Sequence, residues 1–94
     1  MYMSEYLVEF LGTLIFLYVI ITTGNYLAIG LSLSAMIIVG GSISGGHFNP
    51  AVTIMMAVAG KHPNNEVIPY ILAQVSGGLV ALEMSKSNLF KWIA

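Results

Sequence analysis

Three segments of this chain, residues 6–23, 26–43 and 67–83, are long, apolar and almost free of charge. Each has about the length that an α-helix needs to cross the roughly 30 Å hydrocarbon core of a bilayer. Only 7% of all residues are charged, whereas soluble domains average about a quarter. Because lipid offers no hydrogen bonds to the backbone, such segments cross it as helices. The sequence therefore predicts an all-α integral membrane protein with three transmembrane helices, multi-pass in a plasma or inner membrane.

The composition also excludes several classes of function. The formal net charge is −1, and the three basic residues form no cluster, so the chain lacks the basic surface that nucleic-acid binding requires. It has no cysteine, and His47 has no second ligand at metal spacing. No catalytic triad, carboxylate pair or phosphate-binding loop stands out. We therefore expect no enzyme activity, no metal and no cofactor.

The first apolar segment needs a separate test, because a secretory signal peptide also begins with an apolar run. A signal peptide carries Lys or Arg before that run and a small-residue cleavage site after it. Residues 1–9 instead carry Glu5 and Glu9 and no basic side chain. We therefore expect the first segment to be retained as a span.

A fourth apolar segment, which begins at Pro50 and ends at Ala59, is too short to cross a bilayer. As an α-helix it would rise about 15 Å, roughly half of the hydrocarbon core. Asn49 is a favoured N-cap, Pro50 suits the first helical position, and Gly60 is a common stop signal. The sequence thus predicts one re-entrant half-helix within residues 44–60, with its N-terminus near the bilayer midplane.

The start of this half-helix has chemical consequences. A helix N-terminus leaves up to four N–H donors unpaired and carries about half a positive charge. Irregular backbone such as residues 44–48 is tolerated at membrane depth only where it packs in protein or lines a water-filled cavity. A row of backbone carbonyls ending at the Asn49 amide, on a positive helix end, favours neutral hydrogen-bonding solutes over cations.

The segment SGGHFNPAVT, residues 44–53, resembles the first Asn-Pro-Ala loop of the aquaporin (major intrinsic protein) family. EFLGT at 9–13 resembles the family's first-helix Glu-x-x-Gly-Thr pattern, and AQVSGG at 73–78 resembles its third-helix Ala-Gln-x-x-Gly pattern. The motifs match the family in order and spacing, and their sequences resemble most those of the water-selective bacterial and plant branches. The resemblance implies an aquaporin-like half repeat that passes water or small neutral solutes such as glycerol.

The resemblance also implies roles for individual residues. The Asn49 amide would donate a hydrogen bond to a passing water molecule. Glu9 would accept hydrogen bonds from loop N–H groups, and Gln74 would support the loop from the third span. The residues expected to line the pore are Gly45, Gly46, His47, Phe48, Asn49, Pro50 and Ala51.

The chain departs from the family pattern in having one repeat, whereas the family builds its pore from two inverted repeats. The sequence has neither a second Asn-Pro-Ala loop nor the arginine of the family's narrow filter. Val52 stands at the position of that arginine in the loop present here, and Ile29 stands near the position of the second-helix filter aromatic. Ile29 and Val52 are therefore the filter-position candidates. An arginine-free filter predicts weaker exclusion of larger neutral solutes and of protons.

Three hypotheses about assembly follow, and the sequence leaves them open. In the first, two copies in opposite orientations close a pore in the lipid bilayer. In the second, the chain is half of a channel, truncated or completed by a separate second half. In the third, it is a non-conducting interaction subunit of a membrane channel. With a cytoplasmic N-terminus, Lys61 would lie inside and Lys86 and Lys91 outside, so basic residues set no firm orientation.

The tail, residues 84–94, is amphipathic, and its lysines and Trp92 suit a membrane interface. Assembly of such pores into a higher oligomer is also left open.

Overall fold

The computed structural model describes residues 2–87. The elements in chain order are α1 (Tyr2–Thr23), α2 (Tyr26–Ser44), α3 (Pro50–Val58), a 3-10 turn (Asn64–Glu66) and α4 (Val67–Lys86). Within the described range every regular element is helical. Three stretches, 4–23, 26–44 and 64–86, are long and apolar enough to cross a membrane. The structure therefore confirms the predicted all-α membrane fold with three spans and one half-helix.

Local capping sets the ends of α2 and α3. Asn25 begins α2 by accepting a hydrogen bond from a backbone N–H of its first turn at 2.9 Å. The helix ends at Gly45, whose φ of 92° lies in the left-handed region that glycine adopts readily. Asn49 caps α3 in the same way, and Pro50 occupies its first position. Residues 45–49 therefore form a short loop that turns the chain from α2 directly into α3.

The half-helix α3 does not cross the bundle. Its first residue, Pro50, lines a cavity together with Thr13, which lies midway along α1. Glu66, in the turn that follows α3, accepts a hydrogen bond from the hydroxyl of Tyr6, near the start of α1. α3 therefore extends over about half the depth of the bundle, and the chain that follows it comes back to the end at which α1 begins. Because α4 begins at that end, α1 and α4 run parallel and α2 runs antiparallel to both.

Small residues bring α1 close to both of its long neighbours. A Cβ atom at Gly77 of α4 would lie 2.5 Å from the Phe10 carbonyl oxygen and 3.1 Å from the Leu14 nitrogen. A Cβ atom at Gly40 of α2 would lie 2.5 Å from Cγ1 of Val8. Close backbone approach of this kind is typical of helices that associate in lipid. α1 is therefore the central helix, with α2 on one side and α4 on the other.

The interior is polar and the outer surface is apolar. Glu9, Thr53 and Gln74 are each at most 1% exposed, whereas Ile38 is 80% and Tyr26 is 87% exposed. Buried residues of soluble domains are mainly apolar. The reversed distribution suits a protein whose outer surface contacts lipid and whose centre holds a polar site.

The last helix extends past the point where the sequence predicted a tail. α4 continues beyond Glu83 to Lys86, and these two side chains form an exposed ion pair of 3.5 Å within the last turn. The rest of the predicted interfacial tail, residues 88–94 with Lys91 and Trp92, lies outside the described residues.

Candidate functional site at the start of the half-helix

The buried carboxylate of Glu9 holds the loop that leads into α3. Its Oε1 accepts hydrogen bonds from the Phe48 backbone N–H and from Gln74 Nε2, both at 2.8 Å. Its Oε2 accepts hydrogen bonds from Ser44 Oγ at 2.7 Å and from the His47 backbone N–H at 3.1 Å. Donors from α2, the loop and α4 thus share both carboxylate oxygens. The two predicted support residues, Glu9 and Gln74, contact each other, and Glu9 also contacts the loop.

Further hydrogen bonds connect α3 to the same network. Thr53 Oγ1 lies 2.8 Å from His47 Nδ1 and accepts a hydrogen bond from Gln74 Nε2 at 2.9 Å. Because Thr53 is completely buried, these contacts fix the rotation of α3 about its own axis. The Tyr70 hydroxyl donates to the carbonyl oxygen of Ser44 at 2.7 Å, at the end of α2. The half-helix is therefore held by α4 and by the loop.

Three loop residues have a left-handed backbone. The φ angles are 92° at Gly45, 66° at Gly46 and 54° at Phe48. Glycine adopts such angles at little cost. Among residues 2–87, Phe48 is the only residue with a side chain that does so, and a residue with a Cβ atom needs its surroundings to hold it there.

Asn49 presents an unused donor at the start of α3. Its Oδ1 accepts a hydrogen bond from the Ala51 backbone N–H at 2.9 Å, which fixes the orientation of the side-chain amide. The side chain is exposed, and within the described range its Nδ2 has no hydrogen-bond partner. The Asn49 carbonyl accepts the first intrahelical hydrogen bond, from Thr53 at 3.1 Å. Nδ2 is therefore free to donate to a solute.

Asn49 borders a cavity of about 530 Å³ that lies between α1 and α4. Two buried atoms of residues in its wall, Thr13 Oγ1 and Gln74 Oε1, have no hydrogen-bond partner among residues 2–87. Apolar side chains such as Phe16 and Val75 form much of the remaining wall. The polar part of this wall therefore lacks hydrogen-bonding partners within the described residues. Leaving buried polar atoms unpaired is costly, so a bound solute or a second protein element that pairs with them would be stabilised.

The cavity includes some of the predicted pore-lining residues. Phe48, Asn49 and Pro50 belong to its wall. The other four predicted residues flank these in the chain but do not belong to the wall: Gly45, Gly46, His47 and Ala51.

The two filter-position candidates also lie outside this wall. Ile29 is in the first turn of α2, and Val52 is half-buried in the first turn of α3. In a single copy, neither candidate borders the Asn49 cavity.

Sequence reasoning missed a cluster that joins the start of α1 to the start of α4. The Tyr6 hydroxyl donates to Glu66. The single hydrogen of the Tyr70 hydroxyl is shared between the Ser44 carbonyl at 2.7 Å and Glu5 Oε1 at 3.2 Å. The His62 ring packs on Tyr70 with ring centroids 4.4 Å apart. The two tyrosine–glutamate pairs are 60 and 65 residues apart in the chain, so no local pattern connects them. The only signal of this cluster in the sequence is the presence of Glu5 and Glu66 beside apolar segments.

Comparison with known proteins connects this geometry to a family. The sequence model of the major intrinsic protein family matches residues 22–89. Glycerol uptake facilitator protein-like 6 of Lactiplantibacillus plantarum is 44% identical over an alignment of 94 positions, which covers 90% of this chain and 44% of that protein. Aquaporin Z of Photorhabdus laumondii is 55% identical over 58 residues, covering 62% of this chain and 25% of the relative. Aquaporin Z of Bradyrhizobium diazoefficiens is 48% identical over 61 residues, with coverage of 65% and 25%.

The chain spans less than half the length of these curated relatives, which is consistent with a half repeat. The family match covers most of the chain and includes the Asn-Pro-Ala loop. Together with the three helices that can cross a membrane, it confirms the resemblance noted in the sequence and the multi-pass membrane location. The chain belongs to the major intrinsic protein family.

Proposed function

We propose that this chain is a channel subunit for the passive passage of water or small neutral solutes such as glycerol. Its pore would be closed by a second element, either an inverted second copy or a separate second half. The proposal agrees with a family of channels whose matched members include aquaporins and a glycerol uptake facilitator-like protein. The observation that carries it is the free Asn49 amide at the start of the half-helix, beside a cavity.

The chemistry of this position favours neutral solutes. The Asn49 amide offers a fixed N–H donor to a water or hydroxyl oxygen. The α3 N-terminus carries a partial positive charge, which repels cations. A solute that accepts and donates hydrogen bonds can therefore replace its lost hydration here, whereas a cation cannot.

The need for a second element is supported by what one copy leaves open. Asn49 is exposed at the cavity, and Thr13 Oγ1 and Gln74 Oε1 have no partner among the described residues. The matched relatives are more than twice as long as the region they share with this chain. An inverted repeat places a second half-helix against the first at the bilayer midplane, where it would border this cavity.

Two copies of one chain meet that requirement only if the chain inserts in both orientations. Lys61 follows α3 at one end of the bundle, and Lys86 ends α4 at the other. Basic residues at both ends give little orientational preference, so the inverted second copy is the partner that we favour over a separate second half. Higher oligomers of such pores would then form in the plane of the membrane.

The open cavity also suits a second candidate function. If another channel protein supplied the missing half without forming a pore, the chain would be a non-conducting interaction subunit. Its cavity would then be a docking surface, and the purified chain alone would not conduct.

The first experiment is stopped-flow osmotic shrinkage of vesicles that contain only the purified full chain. It compares the wild type with Asn49→Asp, which replaces the amide donor with a carboxylate. Asn65→Asp is the matched control, because it makes the same chemical change at an exposed residue of the 3-10 turn.

Fast water flux that Asn49→Asp alters and Asn65→Asp leaves unchanged is the expected result. It would mean that copies of this chain assemble a pore through Asn49. Flux equal to that of empty vesicles, with insertion of the protein demonstrated, would overturn autonomous conduction and leave the separate second half or the non-conducting subunit.

A further inference from the structure

We propose that the Phe48 side chain is a positioning residue of this site, and that its ring, seated in a notch between Gly12 and Gly40, fixes the direction of the Asn49 amide. The effect on solute passage rests on the proposed function. The positioning itself does not, and it can be measured in a chain that does not conduct.

The notch is visible in the space around the two glycines. A Cβ atom added at Gly12 would overlap the Phe48 ring, with Cδ1 and Cζ at 2.7 Å. A Cβ atom added at Gly40 would lie 3.6 Å from Cζ of the same ring and 2.5 Å from Val8. The ring is 2% exposed. It therefore fills the space that the missing side chain of Gly12 leaves in α1 and packs against α2 at Gly40, where Val8 takes the place of the missing side chain.

Phe48 is held at two points. Its backbone N–H donates to Glu9 Oε1 at 2.8 Å, and its ring occupies the notch at Gly12. Glu9 and Gly12 are three residues apart in α1, so they lie on the same face of that helix. One face of α1 thus holds both the backbone and the side chain of Phe48.

These two contacts account for the backbone conformation of Phe48. Its φ of 54° is unfavourable for a residue with a side chain, and it persists only where the surroundings over-determine it. The next residue, Asn49, returns to an extended backbone with φ −162°. The direction of the Asn49 side chain therefore depends on the turn at Phe48, and that turn depends on the ring in its notch.

The test uses the full chain in lipid nanodiscs and three variants that change the notch. Gly12→Ala puts a methyl group into the ring, Phe48→Ala removes the ring, and the double variant does both. Gly30→Ala is the matched control, because a Cβ atom at Gly30 of α2 meets nothing within 4 Å. Phe48→Leu is a milder variant in case Gly12→Ala does not insert.

The main readout is the side-chain amide NMR signal of Asn49, with the α2 cap Asn25 as an internal reference. We expect the Asn49 signal to move in Gly12→Ala and Phe48→Ala while that of Asn25 stays in place. The Ala51 backbone N–H donates a hydrogen bond to the Asn49 side chain. Its hydrogen exchange should become about tenfold faster in both variants. Gly12→Ala should add no further change once Phe48 is alanine.

An Asn49 signal and an Ala51 exchange rate equal to those of Gly30→Ala would overturn the proposal, even if the variants were less stable overall. In vesicles that conduct, Phe48→Ala should lower water permeability by about tenfold, because a misplaced donor no longer meets the solute. If the wild type alone does not conduct, autonomous conduction by copies of this chain fails, while the NMR result still decides the role of Phe48.

Discussion

The side-chain nitrogen of Gln74 lies 2.8 Å from Oε1 of Glu9 and 2.9 Å from Oγ1 of Thr53. Its two hydrogens are both used, and they connect α4 to α1 and to the half-helix. Glu9 and Gln74 are 65 residues apart in the chain. Because all three side chains are buried, removal of one member leaves its partners without their hydrogen bonds.

Glu9→Gln should destabilise the protein although it keeps the size of the side chain. In one orientation the new NH₂ group faces the donors from Phe48 and Gln74, and in the other it faces the donor from His47. We expect the free energy of unfolding in mixed micelles to fall by about 1–3 kcal/mol. The control Glu83→Gln, which loses only an exposed ion pair, should change it by less than about 0.5 kcal/mol. Equal effects of the two substitutions would show that Glu9 does not anchor the loop.

Gly77→Ala should separate α1 from α4. The added Cβ atom would meet the backbone of Phe10 at 2.5 Å, and a backbone atom cannot swing aside as the end of a side chain can. We expect a loss of about 1–3 kcal/mol in the free energy of unfolding. Gly30→Ala serves as the reference, and a loss no larger than its own would contradict the close crossing.

Thr13→Val should affect the single chain and the assembled channel in opposite ways. In one copy Thr13 Oγ1 is buried without a partner among residues 2–87, so replacing its hydroxyl should stabilise the isolated chain by about 1 kcal/mol. If a second copy supplies the partner, the same change weakens association. Energy transfer between labelled copies measures association, and an increase in the paired fraction would contradict the docking of a second copy at this cavity.

Insertion in both orientations can be tested with introduced cysteines, because the chain has none of its own. Asn65→Cys lies at the end of the bundle where α4 begins, and Tyr26→Cys lies at the opposite end. A membrane-impermeant thiol reagent should label about half of the molecules of each variant in sealed vesicles, if inverted copies pair. Complete labelling of one variant and none of the other would rule out pairing of inverted copies and favour a separate second half.

Solute selectivity follows from the two filter-position candidates. With aliphatic side chains at Ile29 and Val52 and no arginine in the chain, we expect vesicles that pass water to pass glycerol too, and to be less tight to protons than a complete aquaporin. Swelling in glycerol and decay of a pH gradient measure the two leaks. Exclusion of both as strict as that of a complete aquaporin would show that these positions do not form the filter.

Features encoded by neighbouring residues were predictable from the sequence. Asn49 and Pro50 cap α3 within one turn, so the start of the half-helix could be inferred without knowledge of the fold. Glu9 and Gln74 were assigned to loop support through the family resemblance, since nothing near either residue in the chain indicates its partner.

Features that depend on two distant helices were not predictable. The notch at Gly12 and Gly40 exists only because α1 and α2 cross at that depth, and glycine in a span otherwise indicates only close packing. The hydrogen bond between Tyr6 and Glu66 likewise needs α1 and α4 to be parallel. Such pairs follow from the tertiary arrangement, which a single sequence does not state.

The donors to Glu9 also imply an order of events during synthesis. Ser44, His47 and Phe48 are made first and Gln74 is made later, so the carboxylate is only partly satisfied until α4 enters the membrane. Before that moment the half-helix lacks the contact of Thr53 with Gln74. The arrival of α4 is therefore the step that locks the re-entrant segment in place, and a ribosome that stalls before α4 is made leaves a nascent chain with an unfinished site.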